Sequence, residues 1–141
     1  MQDLAELFVT EMRHRREALG LSLQDLGDRL GLDRSAVSRI ERSAPNLSIA
    51  KAAAIAEALG TTLSSMLGGA EQPGSARESQ NFAFRVRELR MARGWNQREL
   101  GERIGVDRNW VNSVESGTRS VTLRTLQKFA EGFEVSPLEL M

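Results

Sequence analysis

The sequence predicts an all-α protein, two tandem five-helix domains joined by a flexible linker, and three observations lead there. The chain repeats itself: shifting its 141 residues by 74 positions lays 8–67 on 82–141 without a gap, with 15 of 60 positions identical, which marks a tandem duplication. The identities include Arg13/Arg87, Arg16/Arg90, Gly20/Gly94, Leu26/Leu100, Gly27/Gly101, Arg29/Arg103, Gly31/Gly105, Asp33/Asp107, Arg34/Arg108, Val37/Val111 and Glu41/Glu115. Turn and surface positions are therefore kept as well as core. Within each copy, apolar residues recur at helical spacing between N-cap residues and glycines. Between the copies lies GGAEQPGSARESQ, residues 68–80, poor in large apolar side chains and rich in Gly, Ser and Ala, a linker composition. The expected domains are thus 1–67 and 81–141, each near the lower size limit for folding alone.

Each element has its own signal. The first helix of each copy ends near Leu19 or Arg93, before Gly20 or Gly94, which can adopt the left-handed cap. The second opens at Ser22–Asp25 or Asn96–Glu99, an N-cap residue with an acid three positions on, and stops at Gly31 or Gly105. The third starts from Asp33 or Asp107 and places Val37 with Ile40, or Val111 with Val114, on one side. The fourth follows Ser48 or Thr122 and buries Ile49, Ala52, Ile55, Ala56 and Leu59, or Leu123, Leu126, Phe129, Ala130 and Phe133. In the second copy Ser136, Pro137 and Glu139 announce a last helix with a capping box. With the chain ending there, no separate ligand-sensing, protease or oligomerisation domain is expected.

Composition excludes several classes of chemistry. There is no cysteine and one histidine, so a disulfide framework, a thiolate zinc site and a multi-histidine metal site are ruled out, and no metal or cofactor is expected. The N-terminus lacks the apolar core of a secretory signal, and no stretch reaches the roughly 18 apolar residues that cross a bilayer. A cytoplasmic protein without membrane contact is the expectation. Lys+Arg and Asp+Glu are 19 each, so net charge gives no support to nucleic-acid binding, and the case rests on placement. The second copy, residues 84–141, carries +2 against −1 for residues 1–69.

A short helix, a glycine turn and a second short helix with a polar outer face is the layout of a helix-turn-helix. Trp95 to Glu115 reads WNQRELGERIGVDRNWVNSVE and Leu21 to Glu41 reads LSLQDLGDRLGLDRSAVSRIE. Both resemble the Cro/CI-type (XRE-like, lambda-repressor-like) helix-turn-helix family, whose pattern is L-[ST]-Q-x-x-L-[AG]-x-x-x-G-[VL]-x-x-x-x-[IV]-x-x-[ILV]-E, and the match covers nearly all of both halves. The resemblance implies that the outward face of the third helix reads bases in the major groove. Those positions are Arg34, Ser35, Ser38 and Arg39 in the first copy and Arg108, Asn109, Asn112 and Ser113 in the second. The side-chain chemistry suits that role independently, since Arg pairs bidentately with guanine and Asn with adenine.

Phosphate or backbone contacts fall to Ser22, Arg42 and Asn46 in the first copy and to Asn96, Gln97, Trp110, Thr118 and Arg119 in the second. The family's usual Gln at the start of the second helix is Gln97, but Leu23 stands there in the first copy. Ser43, Ala44 and Pro45 likewise replace Gly117, Thr118 and Arg119. The second copy is therefore the expected better phosphate binder, and the first the one with the more Arg-rich reader. Trp110 has two readings, a DNA or partner contact and a residue closing the core's edge. The resemblance also suggests ion pairs of Arg16 with Glu41 and Arg90 with Glu115, and His14 reads as a surface group.

The functional expectation is a non-enzymatic, sequence-specific double-stranded DNA-binding transcription regulator, a repressor by preference. The alternative is a protein-interaction module, such as an antitoxin or anti-activator. A second copy of the chain and a protein partner are the further partners left open. The 13-residue linker spans about 43 Å when extended at roughly 3.3 Å per residue, enough for adjacent major grooves. A bipartite site, non-palindromic for a single chain, is the corresponding expectation.

Overall fold

The computed structural model describes residues 3–70 and 78–141, and these are helical throughout apart from short connections. The first half comprises α1 (Leu4–Ala18), α2 (Leu23–Leu30), α3 (Arg34–Ser43), α4 (Ile49–Ala58) and α5 (Leu63–Met66). The second comprises α6 (Glu78–Ala92), α7 (Gln97–Ile104), α8 (Arg108–Glu115), α9 (Leu123–Phe133) and a short 3-10 helix at Pro137–Leu140. Helix α6 thus begins inside the segment expected to be linker, residues 68–70 follow α5 without helix, and residues 71–77 of that segment lie outside the described residues.

Local chemistry sets the element ends. Ser22 and Asn96 each complete a capping box, with Asp25 and Glu99 returning a bond to the cap's own N–H. Gly31 and Gly105 close α2 and α7 at φ +69° and +79°, the left-handed region that glycine enters without steric cost. Asp33 and Asp107 cap α3 and α8 through Ala36 and Trp110 N–H at 2.7 Å. The last element departs from expectation. Ser136 accepts from Leu138 N–H rather than from Glu139, and Glu139 N–H bonds to Ser136 C=O, an i→i−3 pattern that tightens the turn into a 3-10 helix.

The Ser22 N–H holds the Asp25 carboxylate below its ordinary pKa, and the Ala36 N–H does the same for Asp33. A carboxylate held low stabilises the fold above its ordinary range and loses that contribution as pH falls through its lowered value. Thermal melting between pH 7 and pH 2 is therefore expected to show a falling midpoint below about pH 4, and a flat profile would show these caps to be energetically idle.

The halves are not beads on a tether. One hydrophobic cluster runs from Phe8, Met12 and Ile55 to Phe82, Phe129 and Phe133, drawing on both. Helix α1 packs on α9, and α6 on α4. Ser48 and Thr122, equivalent residues in the repeat, pair with each other in an antiparallel bridge. Ile49 N–H donates to Val121 C=O at 2.7 Å and Leu123 N–H to Leu47 C=O at 2.8 Å. Self-pairing of equivalent residues with reciprocal bonds is the mark of a two-fold axis, so the halves form a pseudo-dimer within one chain. Two further bonds cross the axis on one side only: Leu4 N–H to Gln127 Oε1 and Arg124 N–H to Asn46 Oδ1, both 3.0 Å.

Candidate nucleic-acid interface

The third helix of each half is clamped from behind and open in front. Val37 and Val111 are fully buried, with Ile40 and Val114 beside them, so the opposite face of each helix turns to solvent. Arg34, Ser35 and Arg39 are exposed on α3, and Arg108, Asn109 and Asn112 on α8, while Ser38 and Ser113 are half-buried. Two of these hydroxyls are already engaged. Ser35 Oγ donates to Asp33 at 3.1 Å, and Ser113 Oγ donates to Trp110 C=O and accepts from Arg119 Nε at 2.8 Å.

Behind the exposed faces of α3 and α8 lie the expected ion pairs. Arg16 Nε meets Glu41 Oε2 and Arg90 Nε meets Glu115 Oε2, both at 2.7 Å. Each pair is bidentate, with the second bond at 3.0 Å, and the same arginine caps the end of helix 1 through Leu21 or Trp95 C=O. The Glu41 hydrogen bond, outweighing desolvation, holds the Arg16 pKa above its ordinary value. These pairs tie the first helix of each half to the end of its third.

The surrounding positions differ between halves. Gln97 Nε2 bridges Asn112 Oδ1 and Glu115 Oε1, both at 3.3 Å, tying the start of α7 to α8, whereas Leu23 packs against the core. Helix α3 runs two residues longer than α8 and is closed by Ala44 at φ +46°. Asn46 spends its carbonyl oxygen capping α9 across the pseudo-dyad. Arg42 lies along its own helix, 3.4 Å from Ser38 C=O. On the other side, Thr118 bonds Ser113 C=O, and Arg119 lies over the Trp110 ring at 4.9 Å. Trp110 itself stacks on Phe129 at 5.8 Å, the geometry of a residue closing the core's edge, with a cation held on its outer face.

The sequence reading passed over two arginines at this face. Arg87 lines a cleft with Arg90, Gln97, Asn112, Glu115 and Ser116, and Arg98 a second with Asn96, Gln97 and Arg108. The signal for Arg87 was present in the repeat, where it is identical to Arg13. Among the described residues no group of three or more His, Asp or Glu side chains could hold a metal ion, and no helix is long and apolar enough to cross a membrane.

A helix-turn-helix family model matches residues 12–65 and again 86–140. The chain is 38% identical over 60 residues to the cryptic phage CTXphi transcriptional repressor RstR of Vibrio cholerae, covering 43% of this chain and 54% of the relative. It is 32% identical over 60 residues to a Neisseria hypothetical transcription factor from Neisseria meningitidis serogroup B, covering 43% and 57%. The chain thus spans about half the length of the curated relatives it matches. A crystal structure of the restriction-modification controller protein C.AhdI from Aeromonas hydrophila is 39% identical, covering 45% of this chain and 97% of that one, with a TM-score of 0.43.

Proposed function

Because the chain belongs to the helix-turn-helix family in both of its halves, we propose that it is a sequence-specific, double-stranded DNA-binding transcription regulator that represses by occupying its operator. The observation that carries this reading is the pair of reading helices, α3 and α8, exposed on their polar faces and locked from behind by matched buried ion pairs. It acts as a binder and not as an enzyme. Repression by a relative of this kind supports the sign of regulation.

The pseudo-dyad refines the expected site. Readers related by a two-fold address half-sites in inverted orientation, about 34–36 Å apart for one helical turn. Since Arg34, Ser35, Ser38 and Arg39 stand opposite Arg108, Asn109, Asn112 and Ser113, the two halves of the operator differ in sequence. A single chain therefore reads an imperfect inverted repeat, and the packed core, not the linker, sets its spacing. Arg119 and Gln97 hold the backbone in the second half, with Thr118 and the N-terminus of α7 beside them. Ser22, Asn46 and Arg42 serve the first half more weakly, because Leu23 stands where the second half has Gln97 and Pro45 where it has Arg119.

Selection from a random duplex library at about 100 mM salt tests this with wild type, Arg34→Ala/Arg39→Ala and Arg108→Ala/Asn109→Ala. Each mutant is expected to lose one half-site, at about 1–3 kcal/mol per lost bidentate contact, with the other retained. Inserting four Gly/Ser residues between Gly68 and Glu78 is expected to leave the spacing unchanged, and a broadened spacing would return the tethered picture. A second reading, a protein-docking module, draws on Phe84 and Met91, seven residues apart on α6 and 65% and 59% exposed. Trp110, stacked on Phe129, is half-buried. Enrichment of no duplex by folded protein would favour that reading.

A further inference from the structure

Arg13 and Arg87 occupy the same position of the repeat on helix 1 but have different surroundings. Arg13 reaches Glu41: its Nε lies 3.4 Å from Oε1, and its terminal nitrogen donates to Glu41 C=O at 3.4 Å. In the second half the matching oxygen, Glu115 Oε1, is taken by Gln97 Nε2 at 3.3 Å. Both arginines are exposed, but Arg87 lines the cleft that Gln97, Asn112 and Ser116 share and pairs with no carboxylate among the described residues. What distinguishes the two halves at this point is the residue that opens the second helix, Leu23 in one and Gln97 in the other. Leucine has no donor to offer the glutamate, so the arginine supplies it; glutamine supplies the bond and the arginine stays outside.

We propose that Arg87 is a phosphate-binding residue of the second half, that Arg13 is a brace of the first, and that Leu23 versus Gln97 assigns each arginine its role. This rests on the DNA-binding reading and extends it. An Arg at the rim of a cleft beside the base-reading Asn112 and the N-terminus of α7 stands where the strand flanking the read bases must pass. Its guanidinium matches a phosphate bidentately. Arg13 instead gives the already buried Glu41 a second cation and is withheld from DNA.

Counterion release makes the distinction measurable. Each phosphate neutralised contributes a slope of about −0.9 to log K against log salt. With the operator duplex from selection, binding is measured between 50 and 300 mM salt. Arg87→Ala is expected to reduce the slope by about 0.9, and Arg13→Ala to leave it unchanged while lowering the melting midpoint. Gln97→Leu is the sharper arm: it removes no charge, yet by freeing Glu115 Oε1 it draws Arg87 inward and reduces the slope by a similar amount. Leu23→Gln is expected to release Arg13 and steepen the slope by about 0.9. An unchanged slope in both Arg87→Ala and Gln97→Leu, with wild type binding normally, would overturn the assignment. Failure of wild type to bind any duplex would instead overturn the reading beneath it, so the two failures are distinct.

Discussion

Glu115→Gln lowers the stability of the protein by about 3–5 kcal/mol, the usual cost of stranding one member of a buried ion pair. The Glu115 side chain is 5% exposed and that of Arg90 13%, so little water is available to take over. Arg90 holds α6 to the end of α8 through both carboxylate oxygens and to the turn after α6 through Trp95 C=O. Gln97 loses a charged acceptor at the same time. A glutamine keeps the shape but offers one acceptor where the fork needs two, and leaves a guanidinium facing a neutral group. Differential scanning calorimetry reads this as a large fall in midpoint, and a change of under 1 °C would show the pair to be unimportant. Replacing both partners by Arg90→Met/Glu115→Leu is expected to recover much of the loss, because the stranded charge and not the missing attraction carries most of the cost. Glu41→Gln strands Arg16 in the same way and is expected to cost about as much, the half-exposed Arg13 adding little.

How far the sequence could be read follows from which interactions are local. Caps, glycine stops and the buried faces of α3, α4, α8 and α9 depend on residues within a turn or two of each other, and these were legible at Ser22, Asp33, Gly31, Asn96 and Gly105. The Arg16–Glu41 and Arg90–Glu115 pairs were legible because the repeat and the family resemblance present them twice. What depends on contact across the pseudo-dyad was not. Nothing near Asn46 in the sequence announces that it caps α9, because its partner, the Arg124 N–H, is 78 positions away. The same holds for the Ser48–Thr122 bridge. Two amphipathic halves with a polar connection read equally well as separate domains, and the packing of α1 on α9 and of α6 on α4 distinguishes the cases. At the candidate interface the nearer partners of Ser35, Ser113 and Trp110 were not legible, because they depend on side-chain geometry rather than on residue type. The different surroundings of Arg13 and Arg87 were not legible either, because they are set by Glu41 and Gln97 on other helices.

Phe129→Ala is expected to cost about 3–5 kcal/mol and to reach both the reading helix and the other half. One ring joins three elements: it meets Phe82 of α6 edge-on at 5.6 Å, stacks on Trp110 of α8 at 5.8 Å, and contacts Phe133 of its own helix at 6.5 Å. With the ring removed, Trp110 loses its support, and Arg119, held over Trp110 and bonded to Ser113, loses its position at the interface. Helices α6 and α9 also carry the packing onto α4 and α1, so the cavity weakens the contact between halves as well. The equivalent residue in the first half is Ile55, buried but lacking such a ring stack. Melting followed by far-ultraviolet circular dichroism should therefore keep one transition at a much lower midpoint, because the halves share a core and unfold together. Phe129→Leu, which leaves less empty volume, should lie between the two. Two resolved transitions in Phe129→Ala, with the upper one at the wild-type midpoint, would mean that the first half stands without the second. The operator spacing would then have to be attributed to the linker after all.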